Sequence, residues 1–360
     1  GSPKAGKIDD ERFVDPPKPE GKRIGDKEYG AVSSSGSNIA ALEAALDGRI
    51  KGMFFYNSNM VAGYSNTAYL AECMESLELC VAIDVQMSET CMAADYVLPD
   101  TSYLERLELP EFIGGKVPAV ALRDQVLEKI HPNTRPVDQI FGELAEACGV
   151  GEYFQFTAED WAEAQLATVG VTLDQIKQDG VVELPDPGFK YGVPAVKTAS
   201  GTFEFKTDKV GEAGLNPVIG WVPRKVTPKD GEFSIIGGKQ GIHSHTMTQN
   251  IEALNAISRE YHMERLWMAA KDAEGLGVQT GDTVEVSSSE HTGRVEVRVT
   301  QRLKPGVVFL PTHYGGDSPQ QTRAYQYGIS LNDFIPLDAE PGVGSMMSQE
   351  VAVTVKKVEA

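Results

Sequence analysis

The sequence has 360 residues, 41% of them hydrophobic, enough chain for about two or three domains with proper cores and no covalent staples. Its 52 acidic against 33 basic residues leave a net charge of −19, a balance that repels a polyanion and argues against nucleic acid as a partner. A large anionic cofactor stays compatible, because backbone amides and neutral polar side chains can hold one.

Gly1 to Asp26 is rich in Pro, Lys and Gly without periodicity and reads as a linker or arm, as if the sequence were cut from a longer protein. Ser37 and Asn38 cap a predicted helix bearing Ile39, Leu42 and Leu46, with Gly48 as its stop. An apolar strand follows from Ile50 to Tyr56. From Ser65 to Glu78, the residues Leu70, Cys73, Met74 and Leu77 recur at i, i+3, i+4 and i+7, the buried stripe of a crossover helix, and a strand from Leu79 to Ile83 comes at once. So short a connection implies a right-handed parallel strand, helix, strand unit. Ala94 to Leu98 is a third strand segment, closed by Pro99. His131-Pro132 precedes a helix that starts near Pro136 and ends at Gly149.

The α/β region thus runs from about 30 to 150, after an arm over 1–29. Residues 151–230 read as an irregular connector with one helix around Ala158 to Ala167. From Phe233 the character turns to β: Val284 to Val286, Arg294 to Thr300, Val307 to Leu310 and Val351 to Val355 alternate or run apolar between Gly-containing turns, as in a compact barrel over 231–360. No apolar run approaches the roughly 20 residues of a membrane-spanning helix. Cys73, Cys80, Cys91 and Cys148 lack C-x-x-C spacing and are expected to be buried, inert thiols.

Polar residues collect at the predicted strand ends, where an open α/β sheet binds its ligand. Asn57, Ser58 and Asn59 combine tolerance of tight turns with amide and hydroxyl donors, which suits a diphosphate; an ordinary strand-to-helix turn has the same composition. Asp84, at the neighbouring strand end, can accept from a ribose hydroxyl or a guanine edge, or serve as a helix cap. Ser88, Glu89 and Thr90 add polar groups and equally resemble a helix start. The run His243-Ser244-His245-Thr246-Met247-Thr248-Gln249-Asn250 is dense in donors and acceptors. On a strand, His243 and His245 would share a face, but with no third ligand close in sequence a hydrogen-bonding role is favoured over a metal, and no metal ligand is assigned. His313 follows a barrel strand and is open to a binding or a structural role. The common catalytic signatures are absent, which favours holding a cofactor over acid–base chemistry by the protein; no catalytic residue is assigned.

The segment NSN after a strand, followed by VAIDVQMSETCMAADYVLPDTSYLER, resembles the third domain of the molybdopterin oxidoreductases of the dimethyl sulfoxide reductase family. The recurring form D-x-x-x-x-ET-x-x-x-AD-x-V-LP-x-x-x-x-x-E falls on Asp84, Glu89, Thr90, Ala94, Asp95, Val97, Leu98, Pro99 and Glu105. TASGTFEF at 198–205 is similar to a further family segment, with Thr202 where Lys is usual. Residues 272–315 resemble the family's C-terminal dinucleotide-binding barrel, and the resemblance covers most of 30–355. The HSHTMTQN and HYGG forms are most like the thiosulfate, polysulfide and arsenate reductase branch.

This resemblance implies an α/β domain followed by a six-stranded double-psi-like β-barrel. It implies a bis(molybdopterin guanine dinucleotide) cofactor carrying molybdenum or tungsten. One guanosine diphosphate arm maps onto Asn57, Ser58, Asn59, Asp84 and Thr90. The pterin contacts map onto His243, His245, Thr246, Thr248, Asn250, His313 and Asn332. The family's N-terminal cysteine cluster for a [4Fe-4S] centre and its second domain have no counterpart here, so the sequence is expected to be the C-terminal portion of a catalytic subunit, inactive alone. Implied partners are the missing N-terminal part and an iron–sulfur electron-transfer subunit, with export by a twin-arginine signal and membrane association through partner subunits. A non-redox, hydratase-like member and a stand-alone nucleotide-binding or structural module remain the alternatives.

Overall fold

The computed structural model describes residues 4–18, 24, 37–185, 198, 200–218 and 220–359. Residues 1–3, 19–23 and 25–29 of the expected arm, 30–36 of the expected α/β region and 186–197, 199 and 219 of the expected connector lie outside the described residues. The chain divides into two compact units, Gly1–Gly21 with Leu98–Glu204, and Lys22–Val97 with Phe205–Ala360.

The second unit opens with α1 (Asn38–Leu46), whose N-cap Ser37 accepts from the Ala40 N–H and whose Ile39, Leu42 and Ala45 are buried. Strand β1 (Gly52–Tyr56) begins two residues later than its apolar run predicts. The crossover is split into α2 (Met60–Gly63) and α3 (Thr67–Glu75), because Asn66 takes a left-handed backbone (φ 59) and caps α3 with its side chain. Leu70, Cys73 and Met74 bury the predicted stripe. Strand β2 (Leu79–Asp84) pairs parallel with β1 from Gly52↔Leu79 to Tyr56↔Ile83. After α4 (Glu89–Ala93), strand β3 (Tyr96–Pro99) completes a sheet in the order β1-β2-β3.

In the other unit, β4 (Glu111–Ile113) and β5 (Ala119–Ala121) form an antiparallel pair, and α5 (Val137–Ala147) starts after Pro136, which is its N-cap and not its first helical residue. Helix α6 (Ala158–Ala167) carries a full capping box between Thr157 and Asp160. Helix α7 (Leu173–Asp179) and strand β6 (Val181–Glu183), which pairs with β5, give 151–185 more regular structure than an irregular connector, around a core of Val120, Leu166, Leu173 and Ile176. Residues 4–18 of the expected arm have no helix or strand, yet Phe13 packs edge-on against Trp161 (5.0 Å from Phe156, 4.7 Å from Trp161 between ring centroids) and Arg12 pairs with Asp160 at 2.7 Å.

The second unit resumes with the short α8 (Asp208–Glu212) and then the barrel: β7 (Glu232–Gly238), helix α9 (Glu252–Glu260), β8 (Leu266–Ala269), helix α10 (Ala270–Leu276), β9 (Thr283–Ser287), β10 (Thr292–Thr300), β11 (Val307–Pro311) and β12 (Ala352–Lys357). The six strands close in the order β10-β8-β11-β7-β12-β9, mixing parallel pairs (β10 with β8, β11 with β7) and antiparallel ones. Alternation drives the closure: Val284, Val286, Val295 and Val297 point inward while Arg294, Glu296 and Arg298 face out. A closed barrel has no unpaired edge to protect. The fold is thus mixed α/β with a parallel sheet and a closed six-stranded barrel, as expected.

Cys73, Cys80 and Cys91 are buried, and burial pushes the Cys73 and Cys80 thiols up to about 11. Cys148, in contrast to the expectation, is exposed, at the C-cap position of α5. No helix among the described residues is long and apolar enough to cross a membrane.

Candidate functional site

The tips of β1 and β2 are held together by the Asn57 N–H, which donates to the Ile83 carbonyl at 2.9 Å while Asn57 adopts a left-handed backbone (φ 46). Asn59 occupies the N-cap position of α2 but its side chain makes no cap bond. Instead its Nδ2 donates to Glu89 Oε2 at 2.7 Å and to Thr246 Oγ1 at 3.1 Å, and its Oδ1 accepts from the Thr90 N–H and hydroxyl, both at 3.2 Å. Thr90 Oγ1 in turn accepts from the Val61 N–H at 3.1 Å. Asp84 is buried and accepts from the Val85 N–H at 2.7 Å and the Ser88 hydroxyl at 3.4 Å, while Ser88 caps α4. Two further motif carboxylates hold backbone: Asp95 accepts from the Cys80 N–H at 2.8 Å, and Glu105 accepts from Ile130 and Ser102 N–H groups, which lower its pKa.

Residues 243–250 form a turn-rich loop, not a strand, so His243 and His245 do not share a strand face. His243 is buried edge-on to Tyr314, with Nδ1 3.2 Å from Thr248 Oγ1; His245 is exposed with a left-handed backbone (φ 52). Thr248 also accepts from the Ser244 N–H (2.9 Å), and Asn250 Oδ1 accepts from the Arg323 N–H (2.9 Å), so both fix the loop itself. Helix α9 supports it from behind: Asn255 donates to the Gln249 carbonyl at 3.0 Å, and Ser258 bonds the Tyr314 hydroxyl at 2.7 Å.

These loops border a cleft of about 550 Å³. Its lining includes Glu89, Thr246, Gln249, Thr312 and His313, together with Asn66, Glu290, Asn332 and Asp333. Asn332 is fixed by its amide, which donates to the Ala62 carbonyl at 2.7 Å. Among the described residues the lining has four carboxylates, Glu89, Glu290, Asp317 and Asp333, and no Lys or Arg. It therefore offers hydrogen bonds, and no counter-charge.

Eight buried side-chain polar atoms among the described residues lack a partner, and four of them belong to these loops: His243 Nε2, Gln249 Oε1, Thr312 Oγ1 and His313 Nε2. An unsatisfied buried polar group costs about 1–3 kcal/mol, so three of them on residues lining one cleft, with His243 in the adjoining loop, make this cleft the candidate site. Burial, with His245 adding repulsion, lowers the His313 pKa to about 4, and burial lowers that of His243. Both imidazoles are neutral near pH 7, each able to donate or accept but not to carry charge. A pterin, with ring N–H donors beside carbonyl and ring-nitrogen acceptors, matches this donor set. Gly315 (φ 73) is required where it stands, since a Cβ there would lie 2.3 Å from the Ser330 nitrogen.

Of the expected residues, Thr246, His313 and Asn332 line the cleft; Asn59 and Thr90 stand behind Glu89; Asn57, Ser58 and Asp84 form the strand tips; His243, His245, Thr248 and Asn250 build the flanking loop. Glu89, Gln249 and Thr312, which lie within the family-like motif and the polar runs of the sequence, line the cleft as well. Asn66 and Glu290, which meet at 3.1 Å across the cleft wall, carry no sequence signal. Among the described residues, the ligand atoms of His262, Glu264 and Glu296 lie within 4.8 Å of one another, but Arg265 occupies Glu296 and Tyr327 donates to Glu264. Neither His243 nor His245 belongs to that group.

The model of the molybdopterin oxidoreductase family matches residues 20–147, and that of the molydopterin dinucleotide binding domain matches 233–352. The thiosulfate reductase molybdopterin-containing subunit PhsA of Salmonella typhimurium is 26% identical over 92% of this chain and 47% of its own length. The dimethyl sulfoxide reductase DmsA of Haemophilus influenzae is 25% identical over 74% of this chain and 37% of its own length. The chain thus spans less than half the length of these relatives. Acetylene hydratase from Pelobacter acetylenicus shares the fold, with a TM-score of 0.74 at 19% identity, over 89% of this chain and 46% of that one.

Proposed function

The chain belongs to the molybdopterin-dependent oxidoreductases of the dimethyl sulfoxide reductase family, and from that premise we propose that it forms the cofactor-anchoring, C-terminal portion of a catalytic subunit that reduces a sulfur or arsenic oxyanion. The observation that carries the binding half of this reading is the cluster of unpartnered buried atoms on Gln249, Thr312 and His313 at one cleft. The similarity to a thiosulfate reductase subunit over 92% of the chain supports the substrate half. The fold likeness to acetylene hydratase is a likeness of architecture and carries no chemistry for this chain.

When bound, a bis(molybdopterin guanine dinucleotide) group supplies a molybdenum or tungsten centre for oxygen-atom or sulfur transfer. The residues of this chain bind and orient. At the strand tips Asn57 presents its side-chain amide and Ser58 its hydroxyl to a diphosphate, Asn59, whose side chain is taken by Glu89, Thr246 and Thr90, holds the turn beside them, and Asp84 presents a carboxylate oxygen to the nucleoside. His313, His243, Thr246 and Asn332 hold the pterin end with neutral hydrogen bonds. A neutral His313 can donate from Nε2 without adding a cation beside the ring system. An upstream part of the same subunit and an iron–sulfur electron-transfer subunit are the partners this reading requires.

Calorimetric titration of the chain with guanosine diphosphate tests the anchoring role. Saturable binding that weakens about tenfold in Asp84→Ala is expected for loss of one charge-assisted hydrogen bond. A flat titration, or a variant that binds as the parent does, overturns the strand-tip assignment. For the substrate, the full-length subunit is expected to turn over thiosulfate or arsenate in preference to dimethyl sulfoxide, and the reverse preference refutes that half.

A further inference from the structure

Glu89 is an acidic residue in a cleft assigned to an anionic cofactor, and a carboxylate there needs a reason. Its two oxygens face different pieces of the chain. Oε2 accepts from Asn59 Nδ2 at 2.7 Å, which ties it to the loop after β1. Oε1 accepts from the backbone N–H groups of Asp317 at 2.9 Å and Ser318 at 3.3 Å, which ties it to the loop after β11. The same loop is fastened a second time, by the Ser318 hydroxyl (2.6 Å) and the Gln321 amide (3.3 Å), both donating to the Met87 carbonyl two residues before Glu89. Gly316 makes the approach possible, since a Cβ there would lie 2.9 Å from Glu89 Oε1.

Asn59 has fixed polarity. Its Oδ1 is taken by the Thr90 N–H, so its Nδ2 must face Glu89 and Thr246. Glu89 therefore joins Asn59, which itself bonds Thr90 and Thr246, to the 312–318 loop.

We propose that Glu89 is a positioning residue, whose carboxylate latches the loop after β11 to Asn59 and so sets the spacing between the nucleotide-arm and pterin parts of the site. This rests on the cofactor reading above but makes a separate claim. Three N–H donors hold the carboxylate, so it serves as a structural acceptor, and removing it loosens both loops. A carboxylate that merely stood near the cofactor would repel its phosphates, and neutralising it would tighten binding. The two readings predict opposite signs.

Two measurements on the full chain decide the matter. Amide hydrogen exchange needs no ligand. In Glu89→Ala the Asp317 and Ser318 amides are expected to exchange about tenfold faster or more, with the barrel strands unchanged; unchanged exchange there overturns the latch. Affinity for extracted molybdopterin guanine dinucleotide is the second readout. Glu89→Gln keeps an acceptor for the loop but turns a donor toward Asn59, and is expected to weaken binding about tenfold. Combining Glu89→Gln with Asn59→Asp restores a donor opposite an acceptor and is expected to recover most of that loss. Binding by Glu89→Gln equal to or tighter than the parent, or no recovery in the pair, overturns the positioning role while leaving the cofactor reading intact. Absence of binding by the parent chain would count against the cofactor reading alone, and the exchange result would still judge the latch.

Discussion

In the barrel wall, Val284, Val286 and Val297 are fully buried and the strands' backbone groups are consumed by a closed ladder. At the cleft the same unit leaves Gln249, Thr312 and His313 with unpartnered buried atoms, and places Asn66, His313 and Gln326 in left-handed backbone that only glycine adopts freely. Among the described residues the wall strands leave one such atom, Trp267 Nε1, while the cleft gathers three. Unsatisfied polar atoms and strained backbone persist where the surroundings over-determine them and a ligand completes them. Rigidity on one side is what lets the other remain incomplete.

The largest expected effect lies in the wall. Leu310→Ala removes a fully buried side chain and is expected to cost about 2–5 kcal/mol in denaturant unfolding, with guanosine diphosphate affinity per folded molecule unchanged. A matching loss of affinity would show that wall and cleft are not separable. Next, Gly315→Ala forces a Cβ against the Ser330 nitrogen at positive φ and is expected to destabilise by at least about 1–2 kcal/mol and to disorder the loop bearing His313. Thr312→Val has the opposite sign from a wall mutation: replacing an unpartnered hydroxyl by a methyl is expected to stabilise the ligand-free fold by roughly 1 kcal/mol while weakening cofactor binding. Loss of stability would mean that the hydroxyl is already satisfied.

The histidines give a pH test. With a folded pKa near 4 against about 6.5 unfolded, His313 stays neutral in the folded chain while the unfolded chain takes up a proton, so its contribution is full above pH 6.5 and is lost as pH falls toward 4. His243, also lowered by burial, acts in the same direction. His313→Asn is expected to flatten the stability profile in that window, and an unchanged slope would refute the burial argument. The smallest effect belongs to the exposed Lys51–Glu78 pair, where a double-mutant cycle is expected to return under about 0.5 kcal/mol.

Much of the wall was legible because a β-strand writes its burial into alternation. Val284, Val286, Val295 and Val297 announce their face, and β1 and β2 announce theirs by length and an abrupt polar end. Helix α9 was not legible, because the residues it buries are Asn255 and Ser258, which serve the loops and leave no hydrophobic stripe. The tips at Asn57 to Asn59 and Asp84 could be found as strand ends, and the His243 to Asn250 run as a polar density. What Asn59 does could not, since its partners Glu89 and Thr246 lie 30 and 187 residues away and meet it only in the fold. The exact path of the His243 to Asn250 loop was hidden for a similar reason: the turn is held by Thr248 and Asn250 bonding backbone within and beyond the loop.

The central claim is that one cleft, joined by Glu89 to the strand tips, receives the dinucleotide cofactor. Amide hydrogen exchange of the full chain with and without extracted molybdopterin guanine dinucleotide tests it most directly. Protection gathered at 57–59, 246–249 and 312–318, with β9 and β10 unchanged, is the predicted result. No protection in these three segments, or protection confined to 98–185, would contradict it.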